Sequence, residues 1–122
     1  MKTTKRVAVV LSGCGHKDGS EITEAVSSLI ALTEAGAKVE LFAPDLTFQV
    51  NDPFTAQPTG EARNILTESA RIARGQIRPL TELNVQSFDA IVFPGGFGAA
   101  LHLCNWASEG AKCKVHPHAE RV

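Results

Sequence analysis

A chain of 122 residues is one small domain or part of a larger one. Its hydrophobic fraction of 43% and charged fraction of 20% are those of a globular core and argue against disorder. With 12 basic and 13 acidic residues the net charge is -1, which gives no electrostatic reason to expect nucleic acid or an anionic membrane as partner.

The basic start, Met1 to Arg6, runs into the apolar stretch Val7 to Leu11. Ser12-Gly13-Cys14-Gly15 breaks that run too soon for a secretory signal, so it reads as a first β-strand. No apolar run approaches the roughly 20 residues of a spanning helix. The strand, Arg6 to Leu11, is continuous and β-branched, the pattern of a strand covered on both faces in a parallel sheet. Gly13 and Gly15 then turn the chain. Ile22, Ala25, Val26, Leu29, Leu32 and Thr33 form one stripe of an amphipathic helix, with a capping box expected from Asp18 and Glu21 and a stop at Gly36. Lys38 to Ala43 is the next strand, stopped by Pro44, and right-handed crossover makes the two strands parallel.

Residues 44–59 carry Pro53, Pro58 and several polar residues and are expected to be a long loop, a lid or contact segment. Glu61 to Arg74 predicts a second helix with Ala62, Ile65, Leu66, Ser69, Ile72 and Ala73 on its inner face. Pro79 to Leu83 predicts a short helical turn, and Phe88 to Phe93 a third buried strand. A helix from Ala99 to Ala107 and another beginning at Lys114 complete the series. This alternation predicts an α/β domain with a doubly wound, mostly parallel sheet. The glycine-rich turns 12–19 and 94–98 both follow strands, so they face one rim, where such folds bind ligands.

Gly13-Cys14-Gly15 is a weak dinucleotide signal. A third glycine is required at position 18, where Asp18 stands, and no acidic residue closes the second strand. Pro94-Gly95-Gly96-Phe97-Gly98 is more specific: adjacent glycines leave backbone N–H groups unobstructed, and such groups stabilise a developing oxyanion. The alternative is a plain strand-to-helix turn in which glycine only relieves strain.

Several segments together resemble one family: Val7 to Glu24, Phe42-Ala43-Pro44-Asp45, Arg63 to Gly75, and Phe93 to Ala100. They are similar to the ElbB-like proteins, also described as isoprenoid-biosynthesis or lycopene-enhancing proteins with an amidotransferase-like domain. These lie in the PfpI/ThiJ branch of the class I glutamine amidotransferase-like superfamily. The resemblance implies a flavodoxin-like fold with its C-terminal part missing, residues 1–122 being the N-terminal portion of a single domain. It also implies a dimer or other self-association and a glyoxalase-like activity on small dicarbonyls, with no cofactor. In that superfamily a cysteine on a strand-to-helix elbow is the nucleophile. A glutamate from the helix after the first strand contacts it, and the Pro-Gly-Gly turn lends N–H groups. Gly95 and Gly96 match the turn; Glu21 is the better match for the glutamate and Glu24 the competitor. The nucleophile's Cys-Ile-Ala-Pro-like elbow has no counterpart here, and relatives run roughly a hundred residues further. The chain by itself is therefore expected to be inactive.

Each candidate has a bland counterpart. Glu21 is either an acid/base or a helix cap. Cys14, between glycines near a helix start, is either a reactive thiol or a small filler. Cys113, His116 and His118 do not match paired zinc spacing and lack an evident fourth ligand. Arg63, Arg71 and Arg74 read as a solvated face with ion pairs to Glu61 and Glu68. His102, Cys104 and Trp106 depart from the family pattern. The three cysteines form no disulfide framework, which points to a reducing compartment and to the cytoplasm. Val9, Leu11, Ile91 and Val92 are expected to lack full cover in half a domain.

Overall fold

A computed structural model of the chain describes residues 3–122. Its centre is a four-stranded parallel sheet of order β5-β2-β1-β6: β1 (Arg6–Val10), β2 (Lys38–Ala43), β5 (Arg78–Pro79) and β6 (Ala90–Val92). β1 lies between β2 and β6, with Val9 opposite Leu41 on one side and Val92 on the other. Alternation divides its side chains between two faces. Val9 and Leu11 pack with Ala25, Leu29, Leu66 and Ile72 of the helices α1 (Ile22–Glu34) and α2 (Ile65–Ala73). Ala8 and Val10 pack on the other face with Phe42, Leu80, Leu83 and Leu103. Covered faces explain the uninterrupted apolar run of the first strand. They also correct the expectation of exposed positions, since Val9 and Leu11 are both fully buried. Ile91 and Val92, on the outer strand, are half-buried.

The stretch expected to be a loop contains a β-hairpin. β3 (Thr47–Asn51) pairs antiparallel with β4 (Pro58–Asn64). Phe48 and Val50 are buried while Thr47 and Gln49 are exposed, the period of a half-buried strand. The second helix therefore begins at Ile65 and not at Glu61, with Asn64 as its cap: Asn64 Oδ1 accepts from the Thr67 N–H at 2.9 Å. Ala62 leaves the helix face for the exposed β4.

The stripe of α1 is also narrower than predicted. Ala25 is buried and Leu29 and Leu32 half-buried, but Ile22 and Val26 are exposed. Leu80–Glu82 forms the expected helical turn. The helix predicted from Ala99 to Ala107 is broken: a wide turn at Ala99–Leu103 ends at Cys104, and α3 (Trp106–Glu109) follows separately. Cys104 is instead bridged to Val115. The last helix, α4 (Pro117–Glu120), starts three residues later than Lys114 because Pro117 occupies its first turn.

Candidate functional site

The two glycine turns interlock beyond the carboxyl ends of β1 and β6. The Ser12 N–H donates to Ser20 Oγ at 2.8 Å, and the Ser12 hydroxyl donates to Gly98 O at 2.9 Å. Gly98 N–H returns a bond to Gly19 O at 2.9 Å, and Glu21 N–H donates to Gly95 O at 2.8 Å. Space dictates glycine here. A Cβ on Gly98 would strike Ser12 O and the Gly19 backbone, and one on Gly96, at φ +118°, would strike the Glu21 N. The rim expected from the strand order therefore exists, and Glu21 and Gly95 lie at the same end of the sheet. α2 anchors the first turn from the other side: Gly13 N–H donates to the buried Ser69 Oγ at 2.8 Å, and that hydroxyl donates to Ile65 O.

The two candidate glutamates have different surroundings. Glu21 is the N-cap of α1, its carboxylate accepting from the Glu24 N–H at 2.7 Å. Glu24 extends its carboxylate over Gly95, where a Cβ would collide with Oε2. The expected capping box with Asp18 does not form. Asp18 instead accepts from the Asn51 N–H at 2.8 Å and fixes the β3–β4 hairpin to the first turn. The loop is longer than a capping box needs, so its acidic residue reaches the hairpin. Among the described residues, neither the Gly95 nor the Gly96 N–H donates to a protein acceptor, while the Gly95 and Gly96 carbonyls are engaged. An acidic side chain and two backbone donors thus share one small patch of the rim.

Cys14 lies elsewhere, on the side of the loop nearest α2. Burial pushes its thiol pKa up, the Glu68 carboxylate adds to this, Arg71 opposes it, and Asp18 raises it further. A thiol held protonated is a poor nucleophile. Glu68 is buried, though the sequence put it off the inner stripe of α2. It is paired with Arg71 at 2.6 Å and Arg63 at 3.8 Å, so these two arginines neutralise a carboxylate inside the fold. Arg74 ends α2 in the left-handed conformation, at φ +56°.

His102 is a structural residue that the pattern did not single out as such. Its Nε2–H donates to Asp18 O at 2.7 Å and its ring lies 4.9 Å from that of Phe48. It ties the segment after the second turn to both the first turn and the hairpin. Burial lowers its pKa, with the Asp18 carbonyl and charge opposing. Only its nearness in space to residue 18 reveals the role; nothing in the spacing does. The Cys104 thiol points back to the carbonyls of Ala99 and Ala100, at 3.6 and 3.8 Å. His116 and His118 pack edge to face at 4.7 Å. Among the described residues no three His, Cys, Asp or Glu side chains are arranged to hold a metal ion. Trp106 is 58% exposed, so it does not fill the core.

No protein-family model matches the chain. Curated relatives do. A human protein described as glutamine amidotransferase-like class 1 domain-containing protein 3, mitochondrial, is 54% identical over 119 residues, covering 96% of this chain and 44% of its own length. The rat ES1 protein homolog, mitochondrial, is 51% identical over 119 residues, with 96% and 45% covered. Among solved structures, the isoprenoid biosynthesis protein with amidotransferase-like domain from Ehrlichia chaffeensis superposes with a TM-score of 0.87 at 40% identity. That match covers 95% of this chain and 55% of the other. The chain thus spans about half the length of the relatives it matches. The mitochondrial relatives overturn the expected cytoplasmic placement. Unpaired cysteines report the redox poise of a compartment, not which membrane encloses it.

Proposed function

The chain belongs to the glutamine amidotransferase-like class 1, ES1 and ElbB-like family over the part of the family's length that it spans, and from that premise we propose that its rim is the acid/base and oxyanion half of a glyoxalase-like site. In the whole family fold a cysteine thiolate attacks the aldehyde carbon of a small dicarbonyl. The carbon–sulfur bond forms, and the carbonyl electron pair moves onto oxygen. The Gly95 and Gly96 N–H groups stabilise that oxyanion. Glu24 holds the thiol proton and moves it during rearrangement of the hemithioacetal. Hydrolysis then releases the hydroxy acid, so the net reaction adds one water and needs no external oxidant or reductant.

The observation that carries this reading is the carboxylate of Glu24 over Gly95. On this reading Glu24 takes the acid/base role and Glu21 the cap, with Glu24 supported by its place over Gly95. The same observations assign no nucleophile to this chain. Cys14 is turned toward α2 with a raised pKa, and Cys104 donates to local carbonyls. The test is lactate formation from methylglyoxal. The 122-residue chain is expected to give none above the uncatalysed rate. In a full-length relative, substituting the glutamate aligned with Glu24 should lower kcat at least about a hundredfold, and the one aligned with Glu21 far less. Turnover by the chain alone, or the opposite ranking of the two glutamates, would overturn the proposal.

A further inference from the structure

Lys17 stands in the first glycine turn with a backbone that lysine rarely adopts. Its φ is +79°, in the region that favours glycine. Such a conformation persists only where the surroundings over-determine it. Here they do. Asn51 of β3 donates its Nδ2–H to Lys17 O at 3.2 Å and its backbone N–H to the Asp18 carboxylate at 2.8 Å. His102 Nε2–H donates to Asp18 O at 2.7 Å. The hairpin and the segment after the second turn thus clamp residues 17 and 18 together.

The clamped side chain crosses to the second glycine turn. Lys17 Nζ lies 4.9 Å from the centroid of the Phe97 ring. Phe97 follows Gly96 directly, so the ammonium stands beside the turn that carries the two backbone donors of the rim. Lys17 is half-buried and Phe97 is 47% exposed, so the pair forms a wall that solvent reaches. The charge is not consumed. Among the described residues Lys17 makes no ion pair. The carboxylates of the rim are engaged otherwise: Asp18 with the Asn51 N–H, Glu21 with the Glu24 N–H, and Glu24 over Gly95. An ammonium fixed against a ring face and left without a carboxylate is a seat for an anionic oxygen.

We propose that Lys17 is a specificity residue, and that the rim takes carbonyl compounds bearing an anionic group, a carboxylate or a phosphate, away from the reacting carbonyl. Lys17 binds that group while the Gly95 and Gly96 N–H groups face the carbonyl oxygen. The exposed ring of Phe97 is the apolar contact for the carbons between. The inference rests on the rim being the substrate site of the preceding reading and adds the charge of the substrate to it.

The experiment titrates the 122-residue chain with two matched pairs of probes by NMR: butanal against 4-oxobutanoate, and glyceraldehyde against its 3-phosphate. The charged member of at least one pair is expected to bind at least about tenfold more tightly, with shifts at the Gly96 and Phe97 amides and at Lys17 Nζ. Which pair responds tells carboxylate from phosphate. Lys17→Met should abolish the preference, Lys17→Arg should retain it, and Lys112→Met should leave it unchanged. Salt at about 1 M should shrink it. Lys17→Gly relieves the backbone strain, so it should lose the preference without losing stability, an outcome that a purely structural role for the side chain does not give. The same ratio is read as kcat/KM for the charged over the neutral 2-oxoaldehyde in a full-length relative carrying lysine at the aligned position, where folding does not depend on the short chain. Equal affinity within both pairs, or a preference that survives Lys17→Met, would overturn the proposal. Anion preference without turnover of any dicarbonyl counts against the glyoxalase reading alone; methylglyoxal turnover with no charge preference counts against Lys17 alone.

Discussion

The crossing of the two glycine turns and the segment that follows it, residues 99–122, are contiguous in the chain and opposite in construction. At the crossing, backbone meets backbone: Gly98 N–H donates to Gly19 O and Glu21 N–H to Gly95 O at 2.8–2.9 Å, the Ser12 hydroxyl donates to Gly98 O, and no space remains for a Cβ at Gly96 or Gly98. In the following segment the helical turns are three to five residues long, and Leu103 is the buried side chain that holds them to the sheet. A close backbone approach is intolerant because nothing in it has a rotamer to change. A run of short turns is tolerant because each depends on few contacts. The catalytic geometry proposed for the rim belongs to the first kind of structure, so its precision should survive variation in the second.

That contrast can be broken by substitution. Gly98→Ala drives a methyl into Ser12 O and the Gly19 backbone and should cost about 3 kcal/mol or more in stability, measured by urea denaturation. Gly110→Ala, where nothing lies within 4 Å, should cost less, about 1–3 kcal/mol, from backbone strain at φ +56° and ψ −131° alone. Equal effects would show that the crossing is not the rigid part.

Ser69→Ala should come next, at about 1–3 kcal/mol, because it leaves the buried Gly13 N–H without its acceptor. A loss below a few tenths would mean the turn is held from α1 alone. The His102 contact should contribute less, and with a definite sign. Burial favours its neutral form and sets its folded pKa below the ordinary 6.5. Its contribution is therefore complete above that value and is lost as pH falls through the lower folded pKa. NMR titration of the His102 ring should give a midpoint below 6.5, and His102→Gln should flatten the acid limb of the stability curve. A midpoint at or above 6.5 would contradict the burial argument. Trp106→Ala, at a site 58% exposed, should change stability by less than about 0.5 kcal/mol.

Much of the fold was legible as pattern. The apolar runs at Val7 to Leu11 and Ile91 to Val92, separated by an amphipathic helix and a second strand, specify a parallel α/β sheet and place both glycine turns on one rim. The hairpin was not read, although Thr47 to Asn51 alternates cleanly, because Pro53 and Pro58 marked the whole stretch as loop; the prolines sit at its turn and at the start of β4. Glu61 to Asn64 continued the helical stripe of α2 only by coincidence of spacing, and pairing with β3 prevailed over it. The family was visible from motifs dispersed along the chain, and the relatives bear it out. The mitochondrial placement of those relatives was not visible, since free thiols carry no address.

By itself, the sequence determined the succession of covered and turning segments along the chain, because burial on two faces demands continuous apolar residues and sharp turns demand glycine. Only the tertiary structure decided which glutamate caps and which reaches Gly95. Both lie at the start of α1, three residues apart, and no spacing rule distinguishes them. Their roles depend on where a turn about 70 residues downstream crosses the helix start, a contact between strand ends that local chemistry cannot encode.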